Sequence, residues 1–489
     1  MRTLLLATAM ALAAAPGCSS SSPSDSDAGV VPDAVGDAAT ETAADVTPDI
    51  DWSKLPRLPA DRKFATAYAA GAAERKVTPD HSIYLGGFGF CQSAPNLCRK
   101  SQGVHDDLWV YAVVVADTKT GEALAFAGID SIGILLYDSE VVQEKVRMKL
   151  YEKYGVNFEG PRVMVSSSHS HGAPDSCGLW GLGFGEGRDD AYVEYFRDQT
   201  VDAIVEAFGR LADVDINWGT DALANSSGDK TARDETVLVL QGKTPAGEPV
   251  FTLTRWAAHP TAYGSDNKGL SADWVGVFRA AMAKEYGGIQ IYMQGPIGDV
   301  YPDRPSECGL TEEWFPDGFR TPGLDPTQYM RTTCTGLTVV EAAKRALGKL
   351  VPLAATGIRH RYSKFKFHPE NGLLMLLVNA TPMPIPQVDV EDPNSVLDAA
   401  FGWATLGDLD FLTNPGESFP TFAKSGEDEI RKTGAKNVFT LGMTYDWAGY
   451  LLTPGQYKDP DFSYHQTLCP GGELQPRFLE ALSAMIAAQ

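Results

Sequence analysis

Residues 162–174 read RVMVSSSHSHGAP, a short apolar run that is followed at once by two histidines. The run from 162 to 166 has the length and the apolar content of a buried β-strand. His169 and His171 are two positions apart, so in an extended segment both imidazoles point to the same side and face one pocket. A histidine pair is more often satisfied by structural hydrogen bonds than by a metal ion, so a metal site requires further ligands elsewhere in the chain.

Four other apolar runs end in the same way, each leading into side chains that bind metals or transfer protons. They are residues 251–256 before His259, 289–293 before Asp299, 409–412 before Glu417, and 438–443 before a segment that ends at Tyr450. In α/β proteins, ligands bind outside the carboxyl ends of the strands. The pattern therefore predicts one shared site where these strand ends meet.

Helical and strand-like runs alternate along most of the chain, which predicts an α/β (mixed α+β) fold. Residues 108–116 and 124–129 flank a short turn sequence and predict a hairpin. Asp138 and Ser139 predict the N-cap of a helix that ends at Gly155. Further helices are predicted at residues 191–211, 271–286, 337–350 and 422–432. We expect mixed β-sheets flanked by helices, with a zinc site at the carboxyl ends of the strands.

His259 strengthens the metal interpretation, because the chain has only eight histidines. A catalytic zinc site gathers N, O or S ligands from separate segments and leaves one position open for water, and Glu417 offers the carboxylate. Asp299 lies in the loop GPIGDVYP (295–302) and is either a reactive carboxylate or the cap of a tight turn. The loop lacks the GK[ST] ending of a P-loop, and the chain has no GxSxG serine-hydrolase motif.

The first 17 residues carry one arginine, an apolar run from 4 to 15, and then Pro16 and Gly17, which is the order of an export signal. Cys18 follows a small residue, as in sequences that lipoprotein signal peptidase cuts. An ordinary secretory signal with an incidental cysteine is the alternative. We expect the chain to be exported and lipid-anchored through Cys18 to a bacterial cell envelope, at the outer membrane, and otherwise to be periplasmic or secreted.

Residues 18–51 are rich in serine and aspartate and contain no basic residue, which predicts a disordered acidic tether. Residues 52–489 have ordinary apolar content and predict a single domain, without an apolar run long enough to cross a membrane. The net charge of −22 argues against a nucleic-acid-binding surface. The sequence thus predicts membrane contact through the lipid anchor only, and it indicates no protein partner.

Six cysteines besides Cys18 favour disulfides in an oxidising compartment. They are Cys91, Cys98, Cys177, Cys308, Cys334 and Cys469. Six cysteines allow 15 pairings, and the sequence does not choose among them. We predict a disulfide between Cys91 and Cys98, which share one short loop, and disfavour a cysteine metal site because no CxxC spacing occurs.

Taken together, five segments resemble the motifs of the neutral, non-lysosomal ceramidases, in the same order along the chain. Residues 165–174, VSSSHSHGAP, resemble the family's THTHSGP, and residues 257–261, AAHPT, resemble its VHPT. Residues 298–303, GDVYPD, resemble GDVSPN, and residues 415–417 are PGE, as in the family. Residues 449–454, GYLLTP, resemble the tyrosine-bearing segment near the end of the catalytic domain. The resemblance covers about residues 76 to 485.

The resemblance implies a ligand set and roles for individual residues. It implies zinc held by His169, His259, Glu417 and Tyr450, with His171 beside the metal. Asp299 would then act as the base toward zinc-activated water, and His171 and Tyr450 would belong to the catalytic group. Tyr301 and Tyr464 are the residues it assigns to substrate binding.

The chain also departs from the family pattern. Tyr301 stands where the family has serine, which changes any role of that hydroxyl in attack or substrate contact. The family's GIHTR is here GVHDD (103–107), which replaces a basic residue by an acid. Tyr457 and Tyr464 are alternative equivalents of a later family tyrosine. The family's C-terminal β domain is expected to be absent.

These observations favour a zinc-dependent hydrolase of the neutral ceramidase type, which cleaves an amide bond in an N-acyl lipid or a small amide by metal-activated water. The alternative is a surface lipoprotein that keeps the fold but only binds a ligand. The retained metal set together with a candidate base favours the enzyme, because a binding module needs no base.

Overall fold

The computed structural model describes residues 50–89, 98–183, 185–303, 308, 326–380 and 385–488. Asp51–Gln489 form one unit of the fold. The signal sequence, Cys18 and the acidic tether lie outside the described residues.

Strands are most frequent in the first half of the folded unit and recur near its end. They are β1 (Tyr68–Lys76), β2 (Gly103–Val104), β3 (Trp109–Asp117), β4 (Ala123–Ile129), β5 (Val163–Ser167), β6 (Ala212–Ala222), β7 (Asn225–Ser227), β8 (Thr236–Lys243), β9 (Pro249–Trp256), β10 (Gly269–Leu270), β11 (Ile289–Gln294), β12 (Val300–Pro302), β13 (Val351–Pro352), β14 (Ile358–Phe367), β15 (Leu397–Leu406), β16 (Leu409–Thr413), β17 (Glu417–Ser418), β18 (Asn437–Leu441) and β19 (Tyr450–Leu451).

The helices of the described residues alternate with these strands. They are α1 (Leu136–Tyr154), α2 (Asp190–Gly209), α3 (Trp274–Tyr286), α4 (Pro326–Leu347), α5 (Gly372–Asn379), α6 (Pro420–Arg431), α7 (Pro454–Lys458), α8 (Ser463–Gln466) and α9 (Leu474–Ala487). None of the helices in the described part of the chain is long and apolar enough to cross a membrane.

Two mixed sheets form the centre of the fold. The larger has the strand order β11-β9-β8-β6-β1-β3-β4-β5, with β13 paired to β6, and the smaller has the order β14-β15-β16-β18. The pairs β11–β9, β4–β5 and β16–β18 are parallel, and the other neighbours are antiparallel. The prediction of mixed sheets flanked by helices is confirmed.

The larger sheet bends at the β1–β6 pair, which joins its two halves over only three residues, Tyr68–Ala70. As a result, β11 at one end of the sheet lies against β4 and β5 at the other end. The contact is close at Gly128, where a Cβ would lie 2.9 Å from the Tyr292 carbonyl oxygen. The Gln294 side-chain amide then donates to the Ser168 carbonyl at 2.6 Å. This bend brings the end of β5 to the ends of β9 and β11.

Alternating side chains divide the interior into layers, as the two-residue period of a strand requires. On β3, Ala112 and Val114 pack with α1 and α2, while Val113 and Val115 face the smaller sheet. The helices α3 and α4 cover the outer face of β8, β9 and β11. The helices α5, α6 and α9 cover the far side of the smaller sheet. The order of layers is therefore helices, sheet, sheet, helices.

Most predicted elements are present, with shifted ends. The predicted hairpin is the antiparallel pair β3–β4, which has Val113 opposite Phe126. Gly155 ends α1 in the left-handed conformation, as predicted. The predicted cap at Asp138 is wrong, because α1 begins at Leu136 and has no side-chain cap. The Asp138 carboxylate instead accepts two hydrogen bonds of 2.9 Å from the Arg188 side chain. It therefore forms an ion pair in the interior and does not cap the backbone N–H groups of the helix.

The cysteines are only partly paired. Cys308 and Cys334 form a disulfide. Cys98 is also disulfide-bonded, and its predicted partner Cys91 lies outside the described residues. Cys177 and Cys469 are buried free thiols. Both thiols have a pKa raised by burial, which keeps them protonated and unreactive.

Candidate metal centre

His169 lies two residues beyond the end of β5, in a strained backbone conformation. Its φ is 64°, in the left-handed region that residues with a Cβ rarely adopt. Its Nδ1–H donates to the Ile132 carbonyl at 2.6 Å, which fixes the ring orientation and leaves Nε2 as the free nitrogen. Backbone strain of this kind concentrates at functional sites, where the surrounding structure holds it.

His259 follows β9 and is oriented in the same manner. Its Nδ1–H donates to the Val300 carbonyl at 2.9 Å, and its backbone N–H donates to the same oxygen at 2.9 Å. The Trp274 indole donates to the His259 carbonyl at 3.1 Å, which fixes the loop from the other side. The free Nε2 of His259 therefore has one defined direction.

The two free nitrogens converge on Glu417, the first residue of β17. The Glu417 Oε2 atom lies 3.0 Å from His259 Nε2 and 3.3 Å from His169 Nε2. The other carboxylate oxygen, Oε1, accepts a hydrogen bond of 2.9 Å from the Trp447 indole N–H. His169, His259 and Glu417 are each at most 2% exposed. Their polar atoms are therefore shielded from water and contact one another.

This arrangement suits a positive charge between the three side chains. Both Nδ1 atoms donate to carbonyls, so a neutral imidazole would present its Nε2 lone pair to an anionic oxygen; a bound cation, or protonation of the imidazoles, turns that repulsion into attraction. Burial would raise the pKa of Glu417, but the two histidines hold it well below its usual range. The carboxylate is thus ionised and can bind a positive charge.

His171 completes a cluster of three histidines. Its Nε2 lies 3.3 Å from His169 Nε2, and ligand atoms of His169, His171 and His259 come within 4.8 Å of one another. The ring packs edge-on against Phe88, at 4.5 Å between centroids. Gly87 makes room for it, since a Cβ there would lie 2.3 Å from His171 Nδ1. Burial lowers the pKa of His171, which keeps it neutral and able to bind a metal ion.

Tyr450 begins β19 and lies opposite Glu417 in a parallel pair. The phenol is buried, and burial and the negative charge of the nearby Glu417 carboxylate raise its pKa. The predicted ligands His169, His259, Glu417 and Tyr450 therefore lie together, with His171 beside them. These buried histidines can hold a metal ion.

Asp299 is a second strained residue near the centre. Its φ is 55°, and it precedes Val300, whose carbonyl holds the His259 ring. Its Oδ1 lies 3.3 Å from His465 Nε2. Its other oxygen packs on Gly228, where a Cβ would lie 2.0 Å from it. Asp299 is thus fixed at the edge of the cluster, with a histidine as its partner.

His465 is the functional candidate that the sequence interpretation missed. It belongs to the four-residue helix α8 and is 7% exposed, and its ring lies 4.7 Å from that of Tyr450. The only sequence signal was its place next to Tyr464 in a chain with few histidines. It links Asp299 to the wall formed by Tyr450.

The two tyrosines assigned to substrate binding lie at different depths. Tyr301 is half-buried and stacks on the His259 ring, with centroids 5.1 Å apart and planes 24° apart. Tyr464 is 48% exposed, and its ring lies 6.3 Å from that of Tyr450. Tyr301 thus contacts a candidate ligand directly, whereas Tyr464 approaches the cluster through Tyr450.

The strand β18 contributes less directly than predicted. The first tyrosine after it, Tyr445, donates to the Pro161 carbonyl at 2.6 Å and contacts His360 at 3.1 Å, which makes it part of the interior between the sheets. Only Trp447 and Tyr450 of that segment reach the centre.

The chain is similar in sequence to neutral ceramidases from an insect and a bacterium. The neutral ceramidase of Drosophila melanogaster is 22% identical over 297 residues, which are 52% of this chain and 40% of that protein. The neutral ceramidase of Pseudomonas aeruginosa is 23% identical over 233 residues, which are 42% of this chain and 34% of that protein. The aligned part thus spans less than half the length of these relatives. No protein-family model matches the chain.

Solved structures give the fold. A ceramidase described as complexed with C2 superposes with a TM-score of 0.67 at 18% identity, over 87% of this chain and 76% of that one. The neutral ceramidase of Pseudomonas aeruginosa superposes with a TM-score of 0.62 at 16% identity, over 84% and 75%. The chain is neutral-ceramidase-like in sequence and fold. The family resemblance inferred from the five motifs is confirmed at this level.

Proposed function

We propose that this ceramidase-like chain is a zinc-dependent hydrolase that cleaves the amide bond of an N-acyl lipid or a related small amide. The observation that carries the proposal is the convergence of two histidine nitrogens on Glu417 Oε2, at 3.0 and 3.3 Å. Three buried histidines and a carboxylate are donors of the kind that zinc prefers.

The spacing of these atoms supports zinc. Zinc binds histidine nitrogen at about 2.0–2.1 Å, so two ligands of a tetrahedral ion are about 3.3 Å apart. The contacts of Glu417 Oε2 with His259 Nε2 and His169 Nε2, at 3.0 and 3.3 Å, lie close to that value. The Nδ1 hydrogen bonds and the Trp447–Glu417 bond are the outer contacts that commonly orient zinc ligands.

The chain's own residues would have separate roles around such an ion. A bound zinc ion would polarise the scissile carbonyl and lower the pKa of water toward about 7. Asp299 would accept the proton of the attacking water and pass it to the leaving amine, as a general base and acid. His465, at 3.3 Å, would hold the Asp299 carboxylate in place for both transfers. His171 and Tyr450 would line the reacting group.

Tyr301 would shape the substrate entrance rather than attack. A phenol has an ordinary pKa near 10 and is a poor nucleophile at neutral pH. The stack of Tyr301 on His259 places a bulky ring beside the candidate ligands, where a serine would leave space. We therefore propose that Tyr301 narrows the pocket and restricts the acyl or amine group.

The substrate class rests on the relatives, which are named as ceramidases. An N-acyl lipid is the proposal that follows, and a smaller amide remains compatible with the narrowed entrance. A ligand-binding lipoprotein without activity is the alternative. It is disfavoured because Asp299, the candidate base, directly precedes Val300, whose carbonyl holds the ring of the candidate ligand His259.

The test is metal analysis of the purified protein, followed by a hydrolysis screen of N-acyl amides and esters. We expect one equivalent of zinc and amide turnover that a chelator removes and zinc restores. A zinc-loaded protein that binds N-acyl lipids but hydrolyses none would establish the binding alternative. A protein without a metal ion would refute the centre itself.

We further propose that the protein is exported and lipid-anchored through Cys18, which rests on the N-terminal sequence alone. The variant Cys18→Ser is expected to move the protein from the membrane fraction to the soluble fraction, because acyl chains hold a protein through about 0.8 kcal/mol per buried methylene. Its activity should not change. A variant that stays with the membrane would contradict lipidation.

A further inference from the structure

An apolar cavity of about 230 Å³ lies between α5 and the segment that leads into Tyr450. None of the side chains of the candidate metal centre lines it. Its wall includes Trp447, Ala448 and Gly449, so the cavity and the centre lie on either side of the Trp447 indole. The cavity is therefore a second site next to the first, and no step of the proposed hydrolysis uses it.

The lining of the cavity is mostly aliphatic. Leu135, Leu374, Met375 and Val378 contribute to it, and all four side chains are less than 10% exposed. Apolar cavities of about 150 Å³ stay dry and bind small hydrocarbons. Burial raises the pKa of Asp446, which also lines the cavity, to about 8, so this carboxyl is mainly uncharged at neutral pH.

Charged groups at the rim are paired with one another. Lys364 forms an ion pair with Glu140, and both line the cavity. Asp398 accepts from Lys366 at 2.7 Å. The rim thus offers no unpaired cation among the described residues, and an anionic headgroup would gain nothing there.

The helix α5 presents apolar side chains on both of its sides. Leu374, Met375 and Val378 face the cavity, while Leu373 and Leu376 are 60% and 65% exposed. Exposed apolar side chains grouped beside an apolar cavity mark a contact site for apolar ligands. The buried side of the helix can therefore hold the chain of a single lipid molecule, while its exposed side would contact only an extended lipid surface.

We propose that this cavity binds one hydrocarbon chain of a lipid whose headgroup is zwitterionic or uncharged. The aliphatic lining recognises the chain, and the internally paired rim selects the headgroup. A protein partner fits less well, because the site is a narrow concavity rather than a broad face. Binding should not require zinc or turnover, so it can be tested whether or not the proposed hydrolysis holds.

The experiment is calorimetric titration of the full chain with alkylphosphocholines of 8, 10 and 12 carbons, as monomers. We expect one saturable site whose affinity rises about fourfold per added methylene, from about 0.8 kcal/mol of burial each. Dodecanoate, the anionic probe, should bind at least tenfold more weakly than the 12-carbon phosphocholine. Equal or tighter binding of dodecanoate would overturn the headgroup assignment.

Two matched variants on α5 place the site. Val378→Phe adds a ring inside the cavity and should weaken binding at least tenfold. Leu376→Phe adds a similar ring on the exposed side and should leave the affinity of the monomers unchanged. Unfolding temperatures and zinc content of both variants show whether they fold. Folded Val378→Phe with wild-type affinity, or no saturable binding by the wild type, would overturn the proposal.

Discussion

The variant His259→Ala is expected to weaken zinc binding by more than 100-fold. His259 presents Nε2 at 3.0 Å from Glu417 Oε2, so it is one of the donors that would surround the ion. Removing a residue that only orients a ligand costs about 10–100-fold in metal affinity, and removing a ligand should cost more. A 100-fold loss corresponds to about 2.7 kcal/mol of binding free energy.

The structural damage of this substitution is small beside that loss. The Val300 carbonyl accepts both from the His259 ring and from the His259 backbone N–H, each at 2.9 Å. The backbone bond survives in the alanine variant, so no buried carbonyl is left without a donor. The stack on Tyr301 is lost, which affects the pocket more than the ligands.

The assay is a competition titration against a chelator of known affinity, together with metal content per chain. His360→Ala is the matched control, because His360 contacts Tyr445 at 3.1 Å and lies outside the cluster. The control should keep one equivalent of zinc at wild-type affinity. If His259→Ala binds zinc within threefold of the wild type, or the double variant with His169→Ala keeps a full equivalent, the centre is misplaced.

Asp299→Asn should keep zinc and lose about 100-fold or more in turnover, the usual scale for a general base, and wild-type rates would remove Asp299 from that role. Tyr301→Phe should keep most of the activity while Tyr301→Ser changes which acyl or amine groups are accepted, and an inactive Tyr301→Phe would indicate chemistry at the phenol. Trp447→Phe removes the 2.9 Å donor to Glu417, so zinc affinity should fall about 10–100-fold, as measured by the same competition titration. Burial raises the pKa of Asp446 from 3.8 to about 8. The contribution of this residue to the free energy of unfolding is therefore full below about pH 4 and is lost as the pH rises toward 8. Asp446→Asn should therefore flatten the decline in unfolding free energy between pH 5 and pH 8 in denaturant titrations, and an unchanged slope would exclude this residue as its source.

The sequence interpretation located most elements because their signals are local. The two-residue and helical periods predicted the β3–β4 hairpin and the long helices, and Gly155 marked the end of α1. Asp138 was misjudged as a cap because its partner, Arg188, lies 50 residues away. A cap and a buried ion pair use the same side chain, and only the fold decides between them.

The site was predicted as a set of residues, without its geometry. The strand ends indicated that one site gathers His169, His259, Asp299, Glu417 and Tyr450, and the motifs added the roles of these residues. Neither signal reached His465, which lies in a four-residue helix without a motif of its own. The sequence did not predict the apolar cavity beside α5 either, because the apolar run of this helix resembles that of any buried helix.

The sequence by itself determined the order of strands and helices, the donors at the strand ends and the family resemblance, since each depends on residue type and short-range period. The tertiary structure decided which donors meet. His259 and Glu417 are 158 residues apart, and both are held by the loop after β11. The Val300 carbonyl of that loop accepts from the His259 ring, and its Gly298 N–H donates to the Ser418 carbonyl next to Glu417. Such contacts depend on the packing of whole layers, which no local pattern encodes.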